Sequence, residues 1–324
     1  KLTMANVSIA SNSSVYSGVI SDEVPRLQRD ISRLREQISS GKRINRPSDD
    51  PSSFATAERM KTLGNQLARR EESIASARTF VDRTQQELDG LADLFTKARE
   101  DGVRAADDTR SADDRAAIAN ELRSIKDEVV DRMNSTQDGE YIFAGNRTGT
   151  KPFKENGTPN YTDGGSNPDF DPIDGDRTRP IGKNQDLTVN VDGKALAQYD
   201  TTAGGDPETI TGALDNLIKA VDPADNSPPS GPPDPDISTA LGEVEDALDH
   251  VISKGSEAGA IGRRLSTAQE QVEAASLEAN ERRSDAEDTD LATAISELQQ
   301  RQTQLQAAFQ ATSSSQQTSL VNFL

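Results

Sequence analysis

The sequence predicts a mainly α protein, an elongated antiparallel helical bundle or coiled coil formed by both chain ends, with a small β-rich inserted domain. Three observations lead there: apolar residues at heptad spacing over most of the chain, one polar break near each end, and a change of composition between residues 140 and 235. Only 32% of the 324 residues are hydrophobic and 4% aromatic, with no Trp. That is too little for one large globular core, and it suits amphipathic helices packed along narrow seams.

Ile20, Val24, Leu27, Ile31, Leu34 and Ile38 alternate spacings of four and three and share one helical stripe, which Gly41 stops. The stretch "ISSGKRINRPSDDPSSF", residues 38–54, then interrupts the periodicity. Asp50 or Ser48 can cap the next helix, and Pro51 stands in the first turn, where a missing N–H costs nothing. Met60, Leu63, Leu67, Ile74, Ala77, Val81, Leu88, Leu91, Phe95 and Ala98 mark a second, very long helix. A turn at 107–113 precedes a third, returning helix on Ile118, Leu122, Ile125, Val129 and Met133, closed by Asp138-Gly139.

From Glu140 the chain reads as short strands and turns. "EYIFAGNRTGTKPF" and "LTVNVDGKALAQY" alternate apolar and polar residues among Gly, Asn, Asp and Pro, and "NSPPSGPPDPD" is a proline-rich spacer that cannot be helical. Helical periodicity resumes at Ile237, Leu241, Val244, Leu248 and Val251, with a glycine break expected at Gly255 and Gly259 before Ile261, Leu265, Ala268, Val272, Ala275 and Ala279. A last polar interruption, "SDAEDTD", precedes Leu291, Ile295, Leu298, Leu305 and Phe309, which form one stripe. The order is nearly a palindrome. It divides the chain into terminal helices (1–48 and 285–324), a helical bundle (49–139 and 236–284) and a β-rich outer domain with its spacer (140–235).

Formal net charge is −19, so nucleic acid and anionic membrane surfaces are not expected partners. The acidic balance fits a high-salt habitat or plain solubility alike. Locally the charges are sorted: residues 1–48 carry eight basic and four acidic side chains, whereas 285–324 carry one basic and five acidic. An antiparallel terminal pair would set Arg33, Arg35, Lys42, Arg43 and Arg46 beside Asp285, Glu287, Asp288, Asp290 and Glu297, each set also complementing a helix dipole. No charged residue follows Arg301, so the ends are expected to be flexible or buried between subunits.

Little reaction chemistry can be assembled. There is no cysteine, and the lone histidine, His250, lies near Asp246 and Asp249 on a helix, where it reads as a solvated side chain rather than a base. Asp169, Asp171, Asp174 and Asp176 crowd one loop but miss calcium-loop spacing. No catalytic residue, metal or cofactor is expected. No apolar run is long enough to span a membrane, the first 30 residues lack the apolar block of a cleaved signal peptide, and Met4 is expected to be the natural start.

The segments "ISSGKRINRPSDDPSSFATAERM" and "EDTDLATAISELQQRQTQLQAAFQ" resemble the N- and C-terminal signatures of bacterial flagellins and their junction proteins. "GEYIFAGNRTGTKPF" resembles the segment that follows the helical core in the hook-filament junction members, and "YTDGG", "DGDRTRPIG" and "LTVNVDG" are similar to their β domain. The resemblance implies a non-enzymatic structural junction protein, assembling between hook and filament and providing the platform for filament attachment. It implies export through the flagellar type III apparatus and a location outside the cell. Implied partners are further copies in a ring or tube, a proximal hook-associated protein, flagellin, and an export chaperone at the C-terminal helix. The residues expected to carry assembly are Leu27, Ile31, Leu34, Ile38, Arg43, Arg46, Asp49, Asp50, Glu287, Asp288, Asp290, Leu298, Leu305 and Phe309. A flagellin subunit is the alternative within the structural class, against which "YIFAG" weighs. A secreted glycan hydrolase or a cytoplasmic coiled-coil scaffold would be different in kind.

Overall fold

Where apolar residues recur every three or four positions, the chain is helical in the computed structural model, which describes residues 10–107, 109–160, 175–182, 185–199, 208–222 and 236–321. The elements in order are α1 (Ala10–Ser40), α2 (Pro51–Ala105), α3 (Ala112–Met133), β1 (Thr136–Gln137), β2 (Glu140–Tyr141), β3 (Thr178–Gly182), β4 (Gln185–Thr188), α4 (Gly193–Ala197), β5 (Gln198–Tyr199), β6 (Glu208–Thr209), α5 (Ile210–Val221), α6 (Ile237–Glu287) and α7 (Leu291–Val321). They fall into two units, Lys1–Leu67 with Ala275–Leu324, and Ala68–Ala274. "YTDGG", Asp169, Asp171, Asp174 and nearly all of the proline-rich spacer lie outside the described residues.

In the unit Ala68–Ala274, α2 and α6 run antiparallel in a constant register. Arg78 donates to Gln269 at 3.3 Å, Val81 faces Gly262, and Arg99 meets Glu245 at 3.6 Å. Leu88, Leu91, Phe95 and Ala98 of α2 join Ile118, Leu122, Ile125, Val129 and Met133 of α3, and Val244 and Val251 of α6, in one buried core. Each of the larger side chains contributes about 1.5–3 kcal/mol by leaving water. Polar groups at the core's edge are paired: Lys126 meets Asp215 at 2.6 Å, Arg132 meets Glu87 at 3.4 Å, and Arg123 meets Asp222.

The expected break at Gly255 and Gly259 is absent, because α6 is one continuous helix. Each interior glycine costs a helix only about 0.5–1 kcal/mol. Val251 before the pair, Ala258 between them, and Ile261 and Leu265 after them are buried and offset that. By the same reasoning Gly242, exposed on α6 with open space where a Cβ would stand, should tolerate alanine. The variant Gly242→Ala is expected to be more stable by about 0.5–1 kcal/mol, read as a higher urea midpoint by circular dichroism.

Among the described residues between α3 and α6 there are three two-stranded antiparallel pairs, β1-β2, β3-β4 and β5-β6, the first beginning just before residue 140. Asp138 and Gly139, at φ 52° and 83°, join β1 to β2 in the left-handed conformations that a two-residue hairpin requires. "YIFAG" is not a strand beyond its tyrosine. Ile142, Phe143 and Ala144 are buried, and Gly145 turns the chain at φ 56°. Two elements differ from the strand-and-turn reading. α4 forms because Asp192 caps it through Lys194 N at 2.9 Å. α5 buries Ile210, Ala213, Leu214, Leu217, Ile218 and Val221 against α3 and its neighbours.

Candidate assembly interface

In the unit Lys1–Leu67 with Ala275–Leu324, α1 packs along α7. Leu27, Ile31 and Leu34 are buried and Ile38 half-buried. From α7, Ala294 is buried, while Leu298 and Leu305 are half-buried. The single stripe expected on α7 is therefore divided. Leu298 and Leu305 belong to the seam, whereas Leu291, Ile295 and Phe309 are exposed, Phe309 by 51%. Because α1 covers only one side of this apolar band, its outer edge is open. Ile20's side chain lies outside the described residues.

The two breaks meet at one level. Gly41, at φ 70°, turns the chain out of α1, and Lys42 forms an antiparallel bridge with Asp288. Arg43 N donates to Glu287 O at 2.6 Å and Thr289 N to Gly41 O at 3.0 Å. The Arg43 guanidinium reaches Ala286 O at 2.8 Å, satisfying a carbonyl at the end of α6 that has no helical donor. Lys42 pairs with Glu287 at 3.1 Å, and Arg283 approaches the same carboxylate at 3.5 Å. Arg46 turns to Glu36 at 3.2 Å instead. Asp49 accepts from Asn45 N and Arg46 N at 3.1 and 2.9 Å, shaping the loop from within. Asp288 accepts from Ser284 Oγ. The side chains that cross between the segments are thus Lys42 and Arg43, while Arg46 and Asp49 act within their own loop.

Asp50 and Asp290 start the helices beyond the breaks. Asp50 accepts from Ser52 N and Ser53 N at 3.1 and 3.2 Å, and Asp290 from Ala292 N and Thr293 N at 2.9 and 3.3 Å. Hydrogen bonds from Ser53 and Ser52 lower the Asp50 carboxyl to about 2, and those from Thr293 and Ala292 lower Asp290. A carboxyl that is more acidic folded than unfolded stabilises the fold above its unfolded pKa, near 4. That contribution is lost as pH falls through the folded value. Acidification below about pH 4 is therefore expected to fray the first turns of α2 and α7, that of α2 by about pH 2, seen as lower protection of the Ser53 and Thr293 amides relative to their intrinsic exchange rates. Asp50→Asn, which caps without titrating, should remove the change at Ser53 and leave that at Thr293.

Three further contributors carried weak signals in the sequence. Ile44 is an apolar residue inside a polar loop, and it is 4% exposed. Ala294 is the small residue at the seam's start, and Gln37 donates to Arg43 O at 2.7 Å, holding the loop against α1.

His250 differs from its reading as a solvated residue. It is half-buried, its Nε2 lies 2.7 Å from Ala195 O, and its ring lies 5.7 Å from that of Tyr199. Burial, with Lys254 nearby, lowers its pKa, so it serves as a neutral tie between α6 and α4. Among the described residues no three His, Cys, Asp or Glu side chains are placed to hold a metal, and no helix is long and apolar enough to cross a membrane.

The sequence matches the bacterial flagellin N-terminal helical region over residues 12–148 and the C-terminal helical region over 241–324. The chain belongs to the bacterial flagellin-like family. This flagellin-like chain is 28% identical over 306 residues to flagellar hook-associated protein 3 of Escherichia coli K12, covering 90% of its own length and 92% of that protein. Flagellin of Clostridium tyrobutyricum is 26% identical over 38% of this chain and 33% of its own, a more distant relationship. The crystal structure of the flagellar junction protein FlgL from Legionella pneumophila matches 72% of this chain and all of its own, at a TM-score of 0.53 and 14% identity. At that identity it bears on the fold alone.

Proposed function

We propose that this flagellin-like chain is a structural junction protein of the bacterial flagellum, assembling between hook and filament and providing the platform for filament attachment. The observation that carries this is the near full-length relationship to E. coli hook-associated protein 3, including the insert. Filament proteins match over less of the chain, 38% for the flagellin of Clostridium tyrobutyricum, and 75% at only 22% identity for the flagellar filament 41 kDa core protein of Borreliella burgdorferi. No enzymatic step is assigned.

Assembly is carried by the terminal helices. Leu27, Ile31, Leu34, Ile38, Leu298 and Leu305 hold α1 to α7 within one copy, and the open edge with Phe309 is covered by neighbouring copies in a ring or tube. Arg43, Glu287 and Asp288, the capping residues Asp50 and Asp290, and Arg46 and Asp49 within their loop fix how each chain end enters that tube. Export through the type III apparatus, a chaperone on the C-terminal helix, and contacts with a proximal hook-associated protein and flagellin complete the reading. Residues 1–48 and 285–324 are then inner-tube segments, 49–139 and 236–284 the bundle, and 140–235 the outer domain.

Electron microscopy of cells lacking the chain tests this. Hooks without filaments are expected, with filaments restored by the full chain and not by one lacking residues 303–324. Normal filaments on the deleted strain would refute the reading.

A further inference from the structure

Two stripes of opposite charge and identical spacing lie on the unit that contains the terminal helices. Arg26, Arg29 and Arg33 stand at i, i+3 and i+7 on α1, all exposed and on the face away from Leu27, Ile31 and Leu34. Glu278, Glu281 and Asp285 repeat that spacing on α6, all exposed and facing away from buried Ala279. At 1.5 Å per residue each stripe is about 10 Å long.

Among the described residues these charges are mostly unused within one chain. Among the described residues Arg26, Arg29, Glu281 and Asp285 have no ion-pair partner, and the Arg29 guanidinium makes only a contact from Nε to Pro25 O at 3.2 Å. Arg33 meets Asp30 at 3.6 Å and Glu278 meets Arg282 at 2.6 Å, both neighbours on their own helices. No ion pair joins the two stripes.

A ring or tube of identical copies repeats a contact between two different faces of the subunit, so each copy must present both halves of a complementary pair. We propose that the arginine stripe of one copy docks on the acidic stripe of a second copy, with the two helix segments parallel, so that Arg26, Arg29 and Arg33 meet Glu278, Glu281 and Asp285 at matched spacing. The proposal rests on the ring-forming reading above. A charge of −19 on the whole chain repels a polyanion that would otherwise suit three arginines, whereas a second copy brings its own carboxylates already spaced to fit. Each exposed pair is individually weak, so the contact is expected to be strongly sensitive to salt.

The full chain holds no cysteine, which permits a direct test. Arg29→Cys and Glu281→Cys chains, purified separately and mixed, should form a disulfide-linked mixed dimer on mild oxidation. Its yield should exceed by severalfold that of either variant alone or of Arg29→Cys mixed with Gly149→Cys, a turn position in the other unit. Raising NaCl from about 0.05 to about 0.5 M should cut the yield at least about threefold. Mixed dimer no more abundant than in the Gly149 mixture, or unaffected by salt, overturns the docking. In that case filaments restored by the wild-type chain in the deleted strain would still leave the junction reading standing, so the two fail separately.

Discussion

Gly193→Ala is expected to destabilise the unit Ala68–Ala274 by about 3 kcal/mol or more, while Gly149→Ala leaves its urea midpoint nearly unchanged. An ideal Cβ at Gly193 would lie 2.0 Å from the carbonyl oxygen of Phe143. Neither side can yield easily. Phe143 is fully buried in the middle of "YIFAG", and Gly193 is held by the Asp192 cap of α4. Shifting either would pull a core aromatic out of place or undo the cap. At Gly149 a Cβ would meet nothing within 4 Å and φ is not positive, so the same substitution isolates the effect of close approach. Midpoints that coincide for the two variants would show that Phe143 has room to move. The contact also gives a physical reason for two segments far apart in sequence to need each other: "YIFAG" packs directly on the "VDG" turn.

The helices were legible because burial and periodicity coincide along them. Leu88, Leu91, Phe95, Leu122 and Val129 are buried in the structure and stand on the heptad frame in the sequence. The helix starts were legible because Asp50-Pro51 and Asp290 carry capping chemistry in the residues themselves. α5 was missed although Ile210, Ala213, Leu214, Leu217, Ile218 and Val221 follow a helical period. Only three turns long, it lies between two acidic, Pro- and Gly-rich stretches whose composition masks its period. At the breaks the charge sorting pointed to contact between the chain ends, but it could not choose among Lys42, Arg43 and Arg46. That choice depends on Gly41 turning the chain so that Lys42 and Arg43 face α6, and on Asp49 drawing the loop at Arg46 back on itself. The division of the α7 stripe was hidden for a similar reason. Leu291, Ile295 and Phe309 share a frame with Leu298 and Leu305, and only the position of α1 separates what is covered from what is open.

The thinness of that seam makes it the place where one substitution should matter most. Leu34→Asp is expected to release α1 from α7 and abolish filament attachment while leaving the melting of the unit Ala68–Ala274 unchanged. Leu34 is 5% exposed, and the partners that α7 offers, Ala294, Leu298 and Leu305, are small or only half-buried. An unpaired carboxylate placed there loses its hydration without gaining a donor, at a cost of several kcal/mol. A few buried aliphatic side chains contribute about 1.5–3 kcal/mol each, so the seam has little to set against it. Once separated, neither helix has another described partner beyond the break, and isolated helices of this length are marginal in water. Ser32→Asp, two residues away on the exposed face, adds the same charge without entering the seam and should preserve both pairing and attachment. Hydrogen exchange resolved by peptide reads the first effect: protection should fall across residues 23–40 and 291–311 in Leu34→Asp alone. Filament retention in cells reads the second. If Leu34→Asp keeps protection in both helices, or keeps its filaments, the α1–α7 seam is not what holds the chain ends for assembly.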